Sequence, residues 1–174
     1  MEASEYLAFV PLLIYGIGLA DLLSEWKRLF DPKEWYLPYS LFTIMLTEVA
    51  VYNIFIYRQL IEQLPGKSYA GYLLFLIPPF LFMLATVSFT PDKESSTKEY
   101  FIKRMPVFFF LLALFIGSHF LFTFHESPFV LINRIAIVVI LLITGFTRKI
   151  WLIYIVALMW LVTFILKTTG GGIV

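Results

Sequence analysis

Apolar positions along this chain come as long unbroken runs. Mostly apolar stretches cover residues 6–23, 38–57, 69–89, 105–124, 128–146 and 150–166. A helix needs about 20 such residues to cross the hydrocarbon core of a bilayer. The pattern therefore predicts an all-α integral membrane bundle of six transmembrane helices, one domain over residues 1–174.

The segments between the runs carry their own signals. Asp31-Pro32-Lys33-Glu34 predicts an N-cap followed by a proline at the first helical position. Leu64-Pro65-Gly66-Lys67 predicts a turn. Ser96-Thr97-Lys98-Glu99 has capping-box spacing and predicts a short surface helix leading into the fourth run. His125-Glu126-Ser127-Pro128 predicts a tight hairpin, and Arg148-Lys149 separates the last two runs. The first residues, MEASEY, carry Glu2 and Glu5 but no basic residue. A signal peptide needs a positive n-region, so the first run is expected to be a retained helix.

Basic residues set the expected orientation, because cytoplasmic loops carry an excess of Lys and Arg. One side of the predicted topology holds Lys27, Arg28, Lys33, Lys93, Lys98, Lys103, Arg104, Arg148 and Lys149. The other holds Arg58, Lys67 and Lys167. Both termini are thus expected outside the cytoplasm. Trp26, Trp35, Tyr36, Tyr39, Tyr100 and Trp151 are expected at the inner interface, and Tyr69 and Tyr72 at the outer one.

Composition strengthens the membrane assignment. Hydrophobic residues make up 60% of the chain and charged ones 14%, with a mean hydropathy of +0.87. Soluble domains are nearer 45–50% apolar and about 25% charged. A net charge of +1 gives no reason to expect a nucleic-acid partner. The absence of cysteine removes thiolate chemistry and Cys-ligated metals.

Polar residues inside the runs are the candidate chemistry. Glu48 and Arg134 are the carboxylate and guanidinium set well inside apolar runs. Such residues almost always face the bundle interior and find partners. We expect Arg134 to be compensated by Glu48, with Asn53, Asn133, His119 and Tyr52 in or near one polar layer. A helical rise of about 1.5 Å per residue places these groups in the outer half of the bilayer. A buried pair of this kind can equally serve only to fix which helices pack together. Pro78 and Pro79 are expected to break the third run beside a polar cavity, since proline frees carbonyls in the preceding turn. Asp21 and Glu25, one turn apart and followed by Lys27 and Arg28, form charge pairs at the inner end, or line the mouth of a pathway. Ala113 and Gly117 offer a small surface for close helix packing. His119 and His125 do not share a helix face, so no metal or haem cofactor is expected.

The stretches IYGIGLADLLSEWKRLF and WYLPYSLFTIML resemble a group of small, uncharacterised bacterial multi-pass membrane proteins. These open with a Gly-Leu-Ala-acidic-Leu-Leu run and a basic end, then enter the second helix through an aromatic-Pro pair. The residues carrying the likeness are Gly18, Leu19, Ala20, Asp21, Leu22, Leu23, Arg28, Leu29, Tyr36 and Pro38, within about the first 60 residues. The resemblance implies a bacterial inner membrane and no particular activity.

Three classes of function fit these features. A channel- or transporter-like protein, forming a homo-oligomer in one version, accounts for the intramembrane charges and the broken third run. A structural or regulatory membrane subunit, with a partner docked on the basic loops, accounts for the small size. A lipid-modifying enzyme fits least, since no paired catalytic carboxylates or metal-ligand spacing are present.

Overall fold

A computed structural model describes residues 3–62, 68–91, 96–121 and 128–168. Its elements are α1 (Ala3–Phe30), α2 (Leu37–Glu62), α3 (Tyr69–Phe75), α4 (Ile77–Phe89), α5 (Thr97–Ser118), a single 3-10 turn (His119–Leu121), α6 (Pro128–Thr147) and α7 (Ile150–Thr168). The described residues contain helices and no strands. Four helical segments are long and apolar enough to cross a membrane: Leu7–Phe30, Leu37–Tyr57, Tyr69–Phe89 and Thr97–Leu121. Leu131–Thr147 and Ile150–Ile165 are apolar but shorter.

The helices close a ring. In space the order is α1, α2, α7, α6, α5, α4 and back to α1, with a lighter contact of α2 on α5 across the middle. Lipid tails are as apolar as these side chains, so shape complementarity has to hold such helices together. Aromatic rings supply it. Tyr39 stacks on Phe89 with ring centres 4.4 Å apart, and Phe42 meets Phe108 and Phe109 edge to face at 5.6 and 5.2 Å. Offset and edge-to-face pairs of this kind contribute about 0.5–1.5 kcal/mol each beyond simple burial. Two glycines set the closest approaches. A Cβ on Gly18 of α1 meets the Phe82 ring at 3.0 Å, and one on Gly145 of α6 meets Phe109 Cβ at 3.2 Å. Gly16 and Gly117 face open space, so of the Ala113–Gly117 surface only Ala113 is buried.

The third run breaks where its prolines demand. α3 ends at Phe75, Leu76 is a turn, and α4 resumes at Ile77 with Pro78 and Pro79 in its first turn. Proline at 79 has no N–H for the Phe75 carbonyl four residues back. The Tyr57 hydroxyl of α2 donates to that carbonyl instead. Both prolines are buried in the bundle.

Three local expectations are corrected. Asp31–Glu34 is a turn and not a helix start: the Lys33 N–H donates to Asp31 Oδ1 at 2.9 Å and the Glu34 N–H to the Asp31 carbonyl at 3.1 Å. α2 begins only at Leu37, with Pro38 in its first turn. No separate surface helix precedes the fourth run, because α5 is continuous from Thr97. Ser96 stands at its N-cap without a side-chain cap bond. Tyr39 is no interface residue but sits at the core, 1% exposed. Trp26, Trp35, Trp151 and Tyr69 are exposed. The expected turn at 64–67 and hairpin at 125–127 lie outside the described residues. The break at Arg148-Lys149 is a two-residue connection, with Arg148 at φ 53°.

Candidate functional site

Two polar regions sit inside the aromatic bundle. The first gathers Tyr15 of α1, Asn53 of α2 and His119, which follows α5. The Asn53 amide donates from Nδ2 to the Val49 carbonyl at 2.8 Å, one turn back. That bond sets which way the amide faces and leaves Oδ1 for the bundle. The Tyr15 hydroxyl donates to Oδ1 at 3.3 Å, and His119 Nε2 lies 3.2 Å from the same oxygen. The other ring nitrogen, Nδ1, lies 2.9 Å from the Phe115 carbonyl. The imidazole also stands edge-on to the Phe115 ring at 4.8 Å. Asn53 is 5% exposed, so an oxygen that takes hydrogen bonds from other helices is held away from lipid.

The remaining expected residues distribute around this layer. Glu48 does not pair with Arg134. Its Oε2 accepts the indole N–H of Trp160 at 2.9 Å, whereas the Arg134 guanidinium lies over the Phe120 ring at 5.6 Å. The reason is the ring order: α7 stands between α2 and α6, so the partner that reaches Glu48 comes from α7. Asn133 donates to Thr163 Oγ1 at 3.1 Å and ties α6 to α7. Tyr52 is half-buried beside Asn53. Asp21 is half-buried, and its backbone carbonyl accepts the Ser24 hydroxyl at 2.7 Å.

The second region lies at the end of the bundle where α1 stops and α2 and α5 begin. Arg28 is 7% exposed and Glu25 4%. The Arg28 Nε lies 2.6 Å from Glu25 Oε2, the i,i+3 pair expected at this end of α1. Its Nη1 reaches Glu34 Oε2 at 3.1 Å and Thr97 Oγ1 at 3.3 Å. Tyr39 donates to Glu25 Oε2 at 3.2 Å. Glu34 also accepts the Thr97 hydroxyl at 2.7 Å and the Thr97 backbone N–H at 3.3 Å. The first N–H of α5 is therefore met by a carboxylate from the α1–α2 turn, at a helix end where Ser96 makes no side-chain cap bond. These hydrogen bonds from Thr97, ahead of the nearby Arg28 charge, hold the Glu34 carboxyl below its ordinary value. Beside this region the Tyr36 hydroxyl is buried with no hydrogen-bond partner among the described residues. Desolvation, then the neighbouring Tyr154, raises the Tyr36 phenol above its ordinary value.

Tyr15 and Trp160 were not singled out by sequence reasoning, and Glu34 and Thr97 entered it only within helix-start patterns. The available signal was modest: Tyr and Trp inside an apolar run each bring a polar tip that needs a partner. Among the described residues no group of three or more His, Cys, Asp or Glu side chains is placed to hold a metal.

No known protein family, characterised protein or solved structure matches this chain. A functional reading therefore rests on the residues themselves.

Proposed function

We propose that the chain is a small channel- or transporter-like membrane protein whose polar site is the Tyr15–Asn53–His119 layer. The observation that carries this reading is the Asn53 side-chain oxygen, on which polar groups from two other segments converge inside an aromatic core. The Asn53 amide carries no charge, and its hydrogen bonds exchange with a passing polar solute at lower cost than a buried ion pair does. In this reading the basic end faces the cytoplasm, both termini lie outside, and the site occupies the outer half of the bilayer. The Lys and Arg distribution supports that orientation. The bilayer is a bacterial inner membrane, on the resemblance of the first two helices.

The test is flux into liposomes that contain the purified protein, followed separately for protons, potassium and chloride. Flux of at least one ion above that of empty liposomes, lost in Asn53→Leu, is the expected result. Flux at the empty-liposome level for all three, from protein shown to be folded, overturns it.

A membrane-subunit role is the second reading, favoured by the α6–α7 hairpin. Among the described residues of α7 only Leu152, Ile153 and Val156 are buried, and Leu158, Leu161, Val162 and Ile165 stand exposed along it. A second chain recovered in fixed stoichiometry from native membranes supports this reading.

A further inference from the structure

Arg148 is a costly choice for its position. It follows the last residue of α6, its N–H bonds the Thr144 carbonyl at 2.9 Å, and its φ is 53°. This is the left-handed helix-ending position that glycine or asparagine normally fills. A Cβ there crowds the following carbonyl oxygen, so a residue other than glycine is disfavoured. Strain kept at one residue points to something that residue does.

Its surroundings indicate what. A Cβ on Gly145 falls 3.2 Å from Phe109 Cβ and 3.5 Å from the Pro106 carbonyl, which fixes the register of α6 on α5. One turn further toward the basic end, α5 presents Lys103 and Arg104, and α6 runs into Arg148 and Lys149. All four are exposed, and none carries an ion pair among the described residues. Arg104 lies over the ring of Tyr100, whose hydroxyl donates to the Ser88 carbonyl of α4, so it stands on the α4 side of α5 and outside this corner. Glu99, one turn before Lys103, is exposed and makes no ion pair with it. Arg28 at the same end is buried and paired with Glu25 and Glu34, so it is not open to a ligand.

The cations sit on top of apolar stripes. Lys103 heads Val107, Phe110 and Leu114 on α5. Arg148 follows Val139, Ile143 and Phe146 on α6, and Phe146 is 81% exposed. Trp151 opens α7 beside them at 57% exposure. A soluble anion matches the cations alone. An anionic phospholipid matches the cations and the stripes together.

We infer that this corner, formed by Lys103, Arg148 and Lys149, binds the headgroup of an anionic phospholipid, whose acyl chains lie along the exposed faces of α5 and α6. Basic patches between helices recognise such headgroups, and each cation contributes about fivefold in affinity. Arginine at 148 is kept despite its backbone because it completes the patch.

The experiment uses the full chain purified in a neutral detergent, with phosphatidylglycerol or phosphatidylcholine titrated in. Lipid retained in native mass spectrometry and the midpoint of thermal unfolding are both read. Phosphatidylglycerol is expected to be retained preferentially and to raise the midpoint. Arg148→Asn, which the left-handed backbone accepts, is expected to weaken retention about fivefold. Neutralising Lys103, Arg148 and Lys149 together is expected to abolish the preference, while Lys27→Gln with Lys33→Gln leaves it intact. Equal retention of phosphatidylcholine, unchanged retention in Arg148→Asn, an equal loss in the Lys27/Lys33 variant, or an equal midpoint rise with inorganic phosphate alone each overturns the proposal.

Discussion

The two polar regions of the bundle are built on opposite terms. Around Arg28, full charges are locked together: one guanidinium meets two carboxylates, with a threonine and a tyrosine taking up further bonds. Around Asn53, an amide oxygen is shared by a phenol and an imidazole. Taking a charge out of its network leaves another charge stranded in a low-dielectric interior. Taking out a neutral partner leaves only an unmet hydrogen bond. The first region is thus suited to holding α1, the following turn and α5 in one arrangement. The second is suited to changing partners.

The sharpest break of this comparison is Arg28→Gln. It strands Glu25 and is expected to cost about 3–5 kcal/mol, seen as a large drop in the thermal midpoint in detergent. Adding Glu25→Gln is expected to recover part of that loss, because the stranded charge goes too. A loss below about 1 kcal/mol shows that the charges at this end are not locked.

Asn53→Leu is expected to cost less, about 1–3 kcal/mol, by leaving the Tyr15 hydroxyl without its acceptor and removing the polar contact to His119 Nε2. A loss as large as that of Arg28→Gln erases the distinction between the regions.

Acid sharpens the contrast further. Glu34 is held below its ordinary value in the folded protein. Its contribution is therefore fully present above the unfolded-state value and is lost as pH falls through the folded one. Wild-type midpoints are expected to fall at acid pH, and Glu34→Gln is expected to lose part of that fall. Identical acid limbs in both proteins refute the role given to this carboxylate.

Smallest of all is Tyr36→Phe. Removing a buried hydroxyl that has no partner among the described residues is expected to be neutral or to stabilise by up to about 1 kcal/mol. A clear loss of stability shows that this hydroxyl does have a partner.

What sequence reasoning reached and missed has a geometric reason. A helix rise gives depth along the axis, so the height shared by Asn53 and His119 was readable. Proline chemistry likewise placed the break before Pro78 and Pro79. Which helix stands beside which is a matter of azimuth and ring order, and no single run records it. Glu48 and Arg134 therefore looked like partners by height, yet α7 stands between their helices and Trp160 takes the carboxylate. Ser96 deceived in a different way. Its spacing to Glu99 matched a local capping box, whereas the start of α5 is held through Thr97, whose hydroxyl bonds a carboxylate 63 positions earlier in the chain.

The ring order also bears on how the protein is made. Glu48 and Trp160 are separated by 112 positions in the chain. At synthesis rates of about 5–20 residues per second, the carboxylate precedes its indole donor by on the order of ten seconds. During that interval α2 has no α7 to close against, and a charged group within an apolar helix must be tolerated by the insertion machinery, by water or by early neighbours. α7 leaves the ribosome well after α2 and completes it, so a chain truncated before residue 160 lacks the donor that meets Glu48.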